Sequence, residues 1–135
     1  LMIKDATPYL GDLERHDLSE SCRCLVASAF TASEFASLRL AESLVVRWYT
    51  KRTETPMDDT LGRVPGALTT SYGTDKSGED ALKLADFLNN RRIQIDHPKR
   101  ASTLHDAEFT LSAVQLLLNT LMALNMLDPA SQSEP

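Results

Sequence analysis

Apolar residues recur at three- and four-residue spacing in three parts of the chain. The stripes are Leu38, Ala41, Val45 and Trp48; Ala81, Leu84, Ala85 and Leu88; and Leu104, Ala107, Leu111, Val114, Leu118 and Leu121. This spacing is typical of amphipathic helices, whose apolar faces must be buried against one another. No stretch of comparable length alternates as a strand would. The pattern therefore predicts an all-α fold.

Helix-breaking residues and helix-start signals set the predicted limits. Every glycine and every proline lies outside the spans 17–52, 79–97 and 99–128. Cap residues followed three positions later by an acid stand at Asp17, Thr31, Ser77 and Thr103. Such pairs mark helix N-termini. Four helices are predicted, over residues 17–29, 31–52, 78–95 and 103–127, with a break near Phe30 because a single helix over the first two spans would be unusually long.

These helices predict a four-helix up-and-down bundle with a long loop between the second and third helices. The predicted organisation is an N-terminal extension over 1–16, a bundle domain over 17–127 and a disordered tail over 128–135. The loop over 53–77 is rich in threonine, glycine and proline, and residues 59–62 are predicted to hold one helical turn. Loops of this length in compact domains are often functional.

Composition narrows the function classes. A chain of 135 residues suits one domain, and its net charge of -5 argues against a broad nucleic-acid surface. The longest apolar run, from Leu111 to Leu127, is interrupted by polar residues, so no membrane span is expected. Cys22 and Cys24 stand too close in a helix to bridge, which favours free thiols and a cytoplasmic location.

One segment stands out from the acidic background. Residues 91–100 carry four basic side chains, Arg91, Arg92, Lys99 and Arg100, against one acid, Asp96, a local balance of +3. Pro98 disfavours helical geometry at the residue before it. The two arginines are therefore predicted in the last turn of the third helix, with His97 at its end.

This combination suits phosphodiester chemistry. Arginine is permanently charged and forks onto phosphate oxygens, and histidine can accept or donate a proton near neutral pH. Cleavage of RNA needs a base for the 2′-hydroxyl and positive charge near the phosphorus, without a metal. One histidine does not readily serve as both base and acid, and a symmetric dimer would supply a second. The same residues also suit a purely structural role, because basic side chains complement a helix C-terminus.

Other candidate residues are fewer. Glu42 lies on or beside the apolar stripe of the second helix, where a carboxylate would need a partner, and Arg91, Arg92 or Arg39 could supply one. His105 and Glu108 have the spacing of metal ligands, but with His97 they make only three candidates, so neither a metal nor another cofactor is expected. The chain has no phosphate-binding glycine loop and no hydrolase motif.

Two features together resemble the HEPN superfamily of helical domains, found in many prokaryotic toxins and defence proteins. The second helix, from Ala32 to Arg47, is similar to that family's alanine-rich helix with an inward glutamate, here Glu42. The second feature is an arginine followed by a histidine four to six residues later, then a long final helix. Arg91 and Arg92 both fit this spacing to His97. The resemblance covers residues 17–127.

The resemblance implies a homodimer in which two arginine–histidine motifs face each other across a cleft. Active members are metal-independent endoribonucleases. On this pattern His97 would be the general acid and base, Arg91 or Arg92 the phosphate-stabilising residue, and Glu42 and Asp96 supporting residues. Lys99 and Arg100 would bind RNA. Other members have lost catalysis and bind nucleotides, RNA or protein partners, so a cognate protein such as an antitoxin is an expected partner, and a non-catalytic binding module is the alternative.

Overall fold

The computed structural model describes residues 5–56, 63–96 and 100–129. Within these ranges the secondary structure consists of helices alone, which confirms the all-α prediction. A short 3-10 helix, Thr7–Tyr9, precedes five α-helices: α1 (Asp12–Val26), α2 (Phe30–Thr53), α3 (Val64–Tyr72), α4 (Glu79–Asp96) and α5 (Leu104–Ala123). The sequence predicted four of these helices and missed α3.

The predicted break between the first two helices is confirmed. α1 ends at Val26 and α2 begins at Phe30, and Ser28 between them has a φ of 62°, in the left-handed region that a helix cannot contain. The start predicted at Asp17 is wrong. α1 begins at Asp12, because the Glu14 side chain accepts a hydrogen bond from the Gly11 backbone N–H at 2.9 Å and so closes the helix end earlier.

The residues ahead of α1 belong to the packed structure as well. Ala6 and Leu10 are both buried and join the apolar core. The segment predicted as an extension therefore contributes to the core from residue 6 onward. Residues 1–4 and 130–135, which include most of the predicted tail, lie outside the described residues.

Helix α3 lies inside the span predicted as a loop. Its first turn contains Pro65, whose fixed φ suits the start of a helix, and Gly73 follows its last residue with a φ of 55°. Both residues had been interpreted as markers of a loop. The helical turn predicted over residues 59–62 lies outside the described residues.

Helix α2 is the centre of the molecule, since it contacts each of the other four helices. Its largest buried side chain is Trp48, which is fully enclosed. The indole Nε1 of Trp48 donates a hydrogen bond to the hydroxyl of Tyr72 on α3, at 2.9 Å. The guanidinium of Arg52 lies 3.9 Å from the centre of the same tyrosine ring. This cluster attaches the short α3 to the core.

The contact between α1 and α2 is unusually polar. Ser21 on α1 is fully buried and its hydroxyl lies 2.6 Å from that of Ser37 on α2. Glu14, also buried, accepts a hydrogen bond from Arg47 at 2.5 Å. Asp17 is buried too and pairs with Arg39 at 3.3 Å. Helix α1 is thus held to α2 largely by hydrogen bonds and ion pairs.

None of the helices described here combines the length and the apolar character needed to cross a membrane.

Candidate functional site

A buried carboxylate lies at the end of α4. Glu34, on α2, has no solvent exposure. Arg91, on α4, donates to both of its oxygens: Nε to Oε2 at 2.6 Å and Nη2 to Oε1 at 2.6 Å. The hydroxyl of Thr110, on α5, donates to Oε2 at 2.6 Å, and the hydroxyl of Ser102 donates to Oε1. The forked arginine pair and two hydroxyls satisfy the carboxylate.

The balance of forces on Glu34 favours its charged form. Burial raises the pKa of Glu34, but the hydrogen bonds from Arg91, Ser102 and Thr110 lower it by more, so its pKa lies below the ordinary value. The same pairing raises the pKa of Arg91. The pair therefore joins α2, α4 and α5 at one point as two full charges.

A second carboxylate, Asp106, continues the cluster toward solvent. It pairs with Arg100 at 2.7 Å and lies 3.7 Å from Nη2 of Arg91. Its Oδ2 also accepts the backbone N–H of Thr103 at 2.8 Å, and Thr103 accepts the N–H of Asp106 in return, which confirms the helix start predicted there. The hydrogen bond from Arg100, then that from Thr103, hold the pKa of Asp106 far below its ordinary range.

Arg92 is held more loosely than Arg91. Its Nη1 lies 3.3 Å from Asp96, one turn further along α4, and both side chains are partly exposed. Its Nε is buried without a hydrogen-bond partner, and so is Oδ1 of Asn89, one turn earlier on the same helix. One arginine of the motif is therefore fixed by a buried acid, and the next has donor capacity to spare.

The structure brings together Arg91, Arg92, Asp96 and Arg100, at or just beyond the end of α4, as the sequence predicted. His97 and Lys99 lie outside the described residues. The pairing that was considered for Glu42 with Arg91 is made by Glu34 instead. Glu42 is half-buried on α2, two turns beyond Glu34.

Sequence analysis missed the role of Glu34. It had been interpreted as the acid of a helix-start motif at Thr31, but α2 begins one residue earlier than that motif requires and has Ala29 as its N-cap. Glu34 precedes Leu38 by four residues and Ala41 by seven, so it falls on the buried stripe. That spacing was the available signal for a buried acid.

The cluster carries less net charge than the sequence suggested. Among its described residues, three arginines, at positions 91, 92 and 100, face three carboxylates, at positions 34, 96 and 106. Two of these acids come from α2 and α5, so a count along the 91–100 segment could not include them. The described part of the site is electrically balanced, and an anion would have to compete with these acids for the arginines.

An apolar groove runs beside the cluster, between α4 and α5. It is lined by Leu84, His105, Glu108, Phe109, Ser112, Ala113 and Leu116 and encloses about 530 Å³. The rings of Phe87 and Phe109 meet at its edge, 5.5 Å apart. His105 packs edge-on against Phe109. In the parts of the chain that the structure describes, no three potential metal ligands come together.

Comparison of the chain with models of protein families, with curated proteins and with solved structures finds no match.

Replacing Asp106 with asparagine is expected to lower the free energy of unfolding by about 1 kcal/mol near neutral pH, because the charge-assisted contact with Arg100 is lost. The pKa of Asp106 is lowered in the folded state, so its contribution is present above the unfolded pKa and disappears as pH falls through the folded pKa. Urea unfolding should therefore show the difference at neutral pH and a smaller one in acid. The exposed Glu108→Gln should show neither, and a constant difference for Asp106→Asn would contradict the expectation.

Proposed function

We propose that this chain is a metal-independent endoribonuclease of the HEPN type, acting as a homodimer, as in toxin and defence systems. The observation that carries the proposal is the fixed Arg91–Glu34 pair, which holds the end of α4 in place beside Arg92, five positions before His97. A rigid helix end gives the motif a defined geometry, and pre-organised charge is what stabilises a phosphoryl transition state.

The contacts favour one of the two motif frames. Arg91 uses Nε and Nη2 on Glu34, and its Nη1 donates to Gln94 at 2.9 Å, so each of its nitrogens already donates to a side chain. We therefore assign Arg91 a positioning role. Arg92 has one long contact with Asp96 and an unpartnered Nε, so it is the better candidate for phosphate.

The proposed reaction is a transesterification. His97 would accept the proton of the 2′-hydroxyl, which attacks the adjacent phosphorus. The bond from phosphorus to the 5′-oxygen breaks, and the histidine of the second copy would donate a proton to that oxygen. Arg92 would stabilise the charge on the non-bridging oxygens, with Lys99 and Arg100 along the RNA path. The products are a 2′,3′-cyclic phosphate and a 5′-hydroxyl end.

The test is cleavage of end-labelled single-stranded RNA in excess EDTA. His97→Ala and Arg92→Ala should each lower the rate by about 10²–10⁴-fold. Arg23→Ala, at an exposed arginine on α1, is the matched control and should be fully active. An RNA with 2′-deoxy substitution throughout should remain intact. Equal, background-level cleavage by wild type and His97→Ala would contradict the proposal.

A second candidate is a non-catalytic helical module that binds a protein partner or a nucleotide. The charge balance at the cluster favours it, because the acids at positions 34, 96 and 106 already occupy the arginines described there. This reading predicts no cleavage of RNA by wild type. Its distinguishing result would be a folded, inert protein in which replacement of His97 leaves binding to the partner unchanged.

A further inference from the structure

The outer face of α5 differs from the rest of this acidic chain. From Phe109 to Leu127 no residue carries a charge, although the whole chain has a net charge of -5. Phe109 and Leu116 lie two turns apart on this face, and each is 54% exposed. Between them, Ser112 is exposed and small. Depletion of charge together with exposed aromatic and aliphatic side chains is the composition of a protein–protein interface.

The groove beside this face offers a receptor for such side chains. Leu84 on α4 and Ala113 on α5 form part of its floor, and the aromatic pair of Phe87 and Phe109 forms one edge. An exposed knob and an adjacent hollow on the same surface are self-complementary. Two copies related by a two-fold axis can each insert an apolar side chain into the other.

We propose that this α4–α5 face binds a second copy of the chain. The proposal goes beyond the ribonuclease proposal and does not rest on it. The charge distribution favours a second copy: two chains of net charge -5 repel each other, and a face without charges lets them approach closely with the least repulsion. Glu108 is the one acid that lines the groove.

The register follows from the same residues. In an antiparallel arrangement centred near Ser112, Phe109 of one copy meets the partner copy's Leu116, and the reverse. This arrangement places Glu108 opposite the uncharged later part of the other α5. A parallel arrangement would bring the two copies of Glu108 together, at an electrostatic cost. The antiparallel register is therefore the favoured one.

The size of the face sets the expected strength. Helix α5 from Leu104 to Ala123 is about 29 Å long at 1.5 Å per residue, and with α4 packed beside it the face is roughly 20 Å wide. That gives on the order of 600 Å² per copy, below the roughly 800 Å² of a standard interface. The dimer is expected to be weak, with a dissociation constant of about 10 µM or more.

This contact would not unite two motifs. Asp106, at the motif end of α5, lies about 10 Å along the helix from the dyad near Ser112, so the two arginine clusters would be about 20 Å apart along that axis. It is thus a different surface from one that would place two copies of His97 face to face.

The test is analytical ultracentrifugation of the whole chain from about 1 to about 300 µM, a range that brackets the expected constant. Wild type should shift from monomer to dimer. The double variant Phe109→Glu with Leu116→Glu should remain monomeric, because it places like charges opposite each other. Val26→Glu, at an exposed apolar residue on α1, is the matched control and should dimerise as wild type. Circular dichroism melts would show that each variant is folded.

A charge-swapped variant tests the register. Phe109→Glu combined with Leu116→Lys places opposite charges against each other in the antiparallel pairing, and should recover dimerisation relative to the double glutamate variant. Equal loss in both variants would overturn the antiparallel pairing. A wild type that is monomeric throughout, or a dimer that the double glutamate variant leaves intact, would overturn the proposal itself; in the first case an apolar segment of another protein becomes the occupant to seek. His97→Ala should dimerise as wild type, which separates this test from the catalytic one.

Discussion

Replacing Arg91 with alanine is expected to lower the free energy of unfolding by about 3–5 kcal/mol, the usual cost of removing one partner from a buried ion pair. Glu34 would remain fully enclosed, with only the hydroxyls of Ser102 and Thr110 as donors. Urea unfolding of wild type and variant measures the difference. Arg100→Ala, at an arginine that is 62% exposed, should cost about 1 kcal/mol or less.

The same variant should change the pH dependence of stability. In wild type the pKa of Glu34 is lowered, so the stability contributed by this group is present above its unfolded pKa and is lost as pH falls through the folded pKa. Without Arg91, burial dominates and the pKa of Glu34 is expected to rise above its unfolded value. The penalty of Arg91→Ala should then shrink as pH falls from about 7 toward 4. A penalty that grows in acid would contradict this account of the pair.

A double replacement separates the pair from its surroundings. Glu34→Leu with Arg91→Met removes both charges and fills similar space, so it should recover most of the stability that Arg91→Ala loses. Its RNA cleavage should nevertheless be reduced if Arg91 positions Arg92. A double variant as unstable as Arg91→Ala would show that the other contacts of Arg91, with Gln94 and Asp106, outweigh the ion pair.

Trp48→Ala should cost about 3–5 kcal/mol, because it removes the largest enclosed side chain and leaves a cavity between α2 and α3. It also leaves the Tyr72 hydroxyl without the indole donor. At roughly 3 °C per kcal/mol, the melting temperature should fall by about 10 °C or more. Circular dichroism is the suitable measurement, since Trp48 is the sole tryptophan of the chain.

The matched control keeps most of the ring. Trp48→Phe retains much of the buried volume and loses the hydrogen bond, so its cost should be clearly smaller. A melting temperature for Trp48→Ala within a few degrees of wild type would show that α3 is not anchored through this residue.

The sequence predicted the parts of this fold that local patterns determine. The α5 stripe and the capping pair of Thr103 and Asp106 are local features, and both are confirmed. Helix α3 was missed because Pro65 and Gly73, which mark its first turn and its end, are also typical of loops. Its stability comes from the contact of Tyr72 with Trp48, which is remote in sequence.

The candidate site was predictable in part for the same reason. The arginines at the end of α4 form a continuous segment, so their clustering was evident from the sequence. Their neutralisation was not, because Glu34 is 57 positions from Arg91 and Asp106 lies beyond the next loop. Which carboxylate meets which arginine depends on how helices α2, α4 and α5 cross, and the stripe pattern alone leaves that register open.

The polar contact between α1 and α2 has a thermodynamic consequence. Separation of α1 would expose mainly hydroxyls and charged groups, such as Ser21 and Glu14 with its partner Arg47, and comparatively little hydrocarbon. Exposure of polar surface lowers the heat capacity, whereas exposure of apolar surface raises it. Release of this helix would therefore contribute little to the curvature of stability with temperature, and α1 would respond to ionic strength more than the apolar interior does.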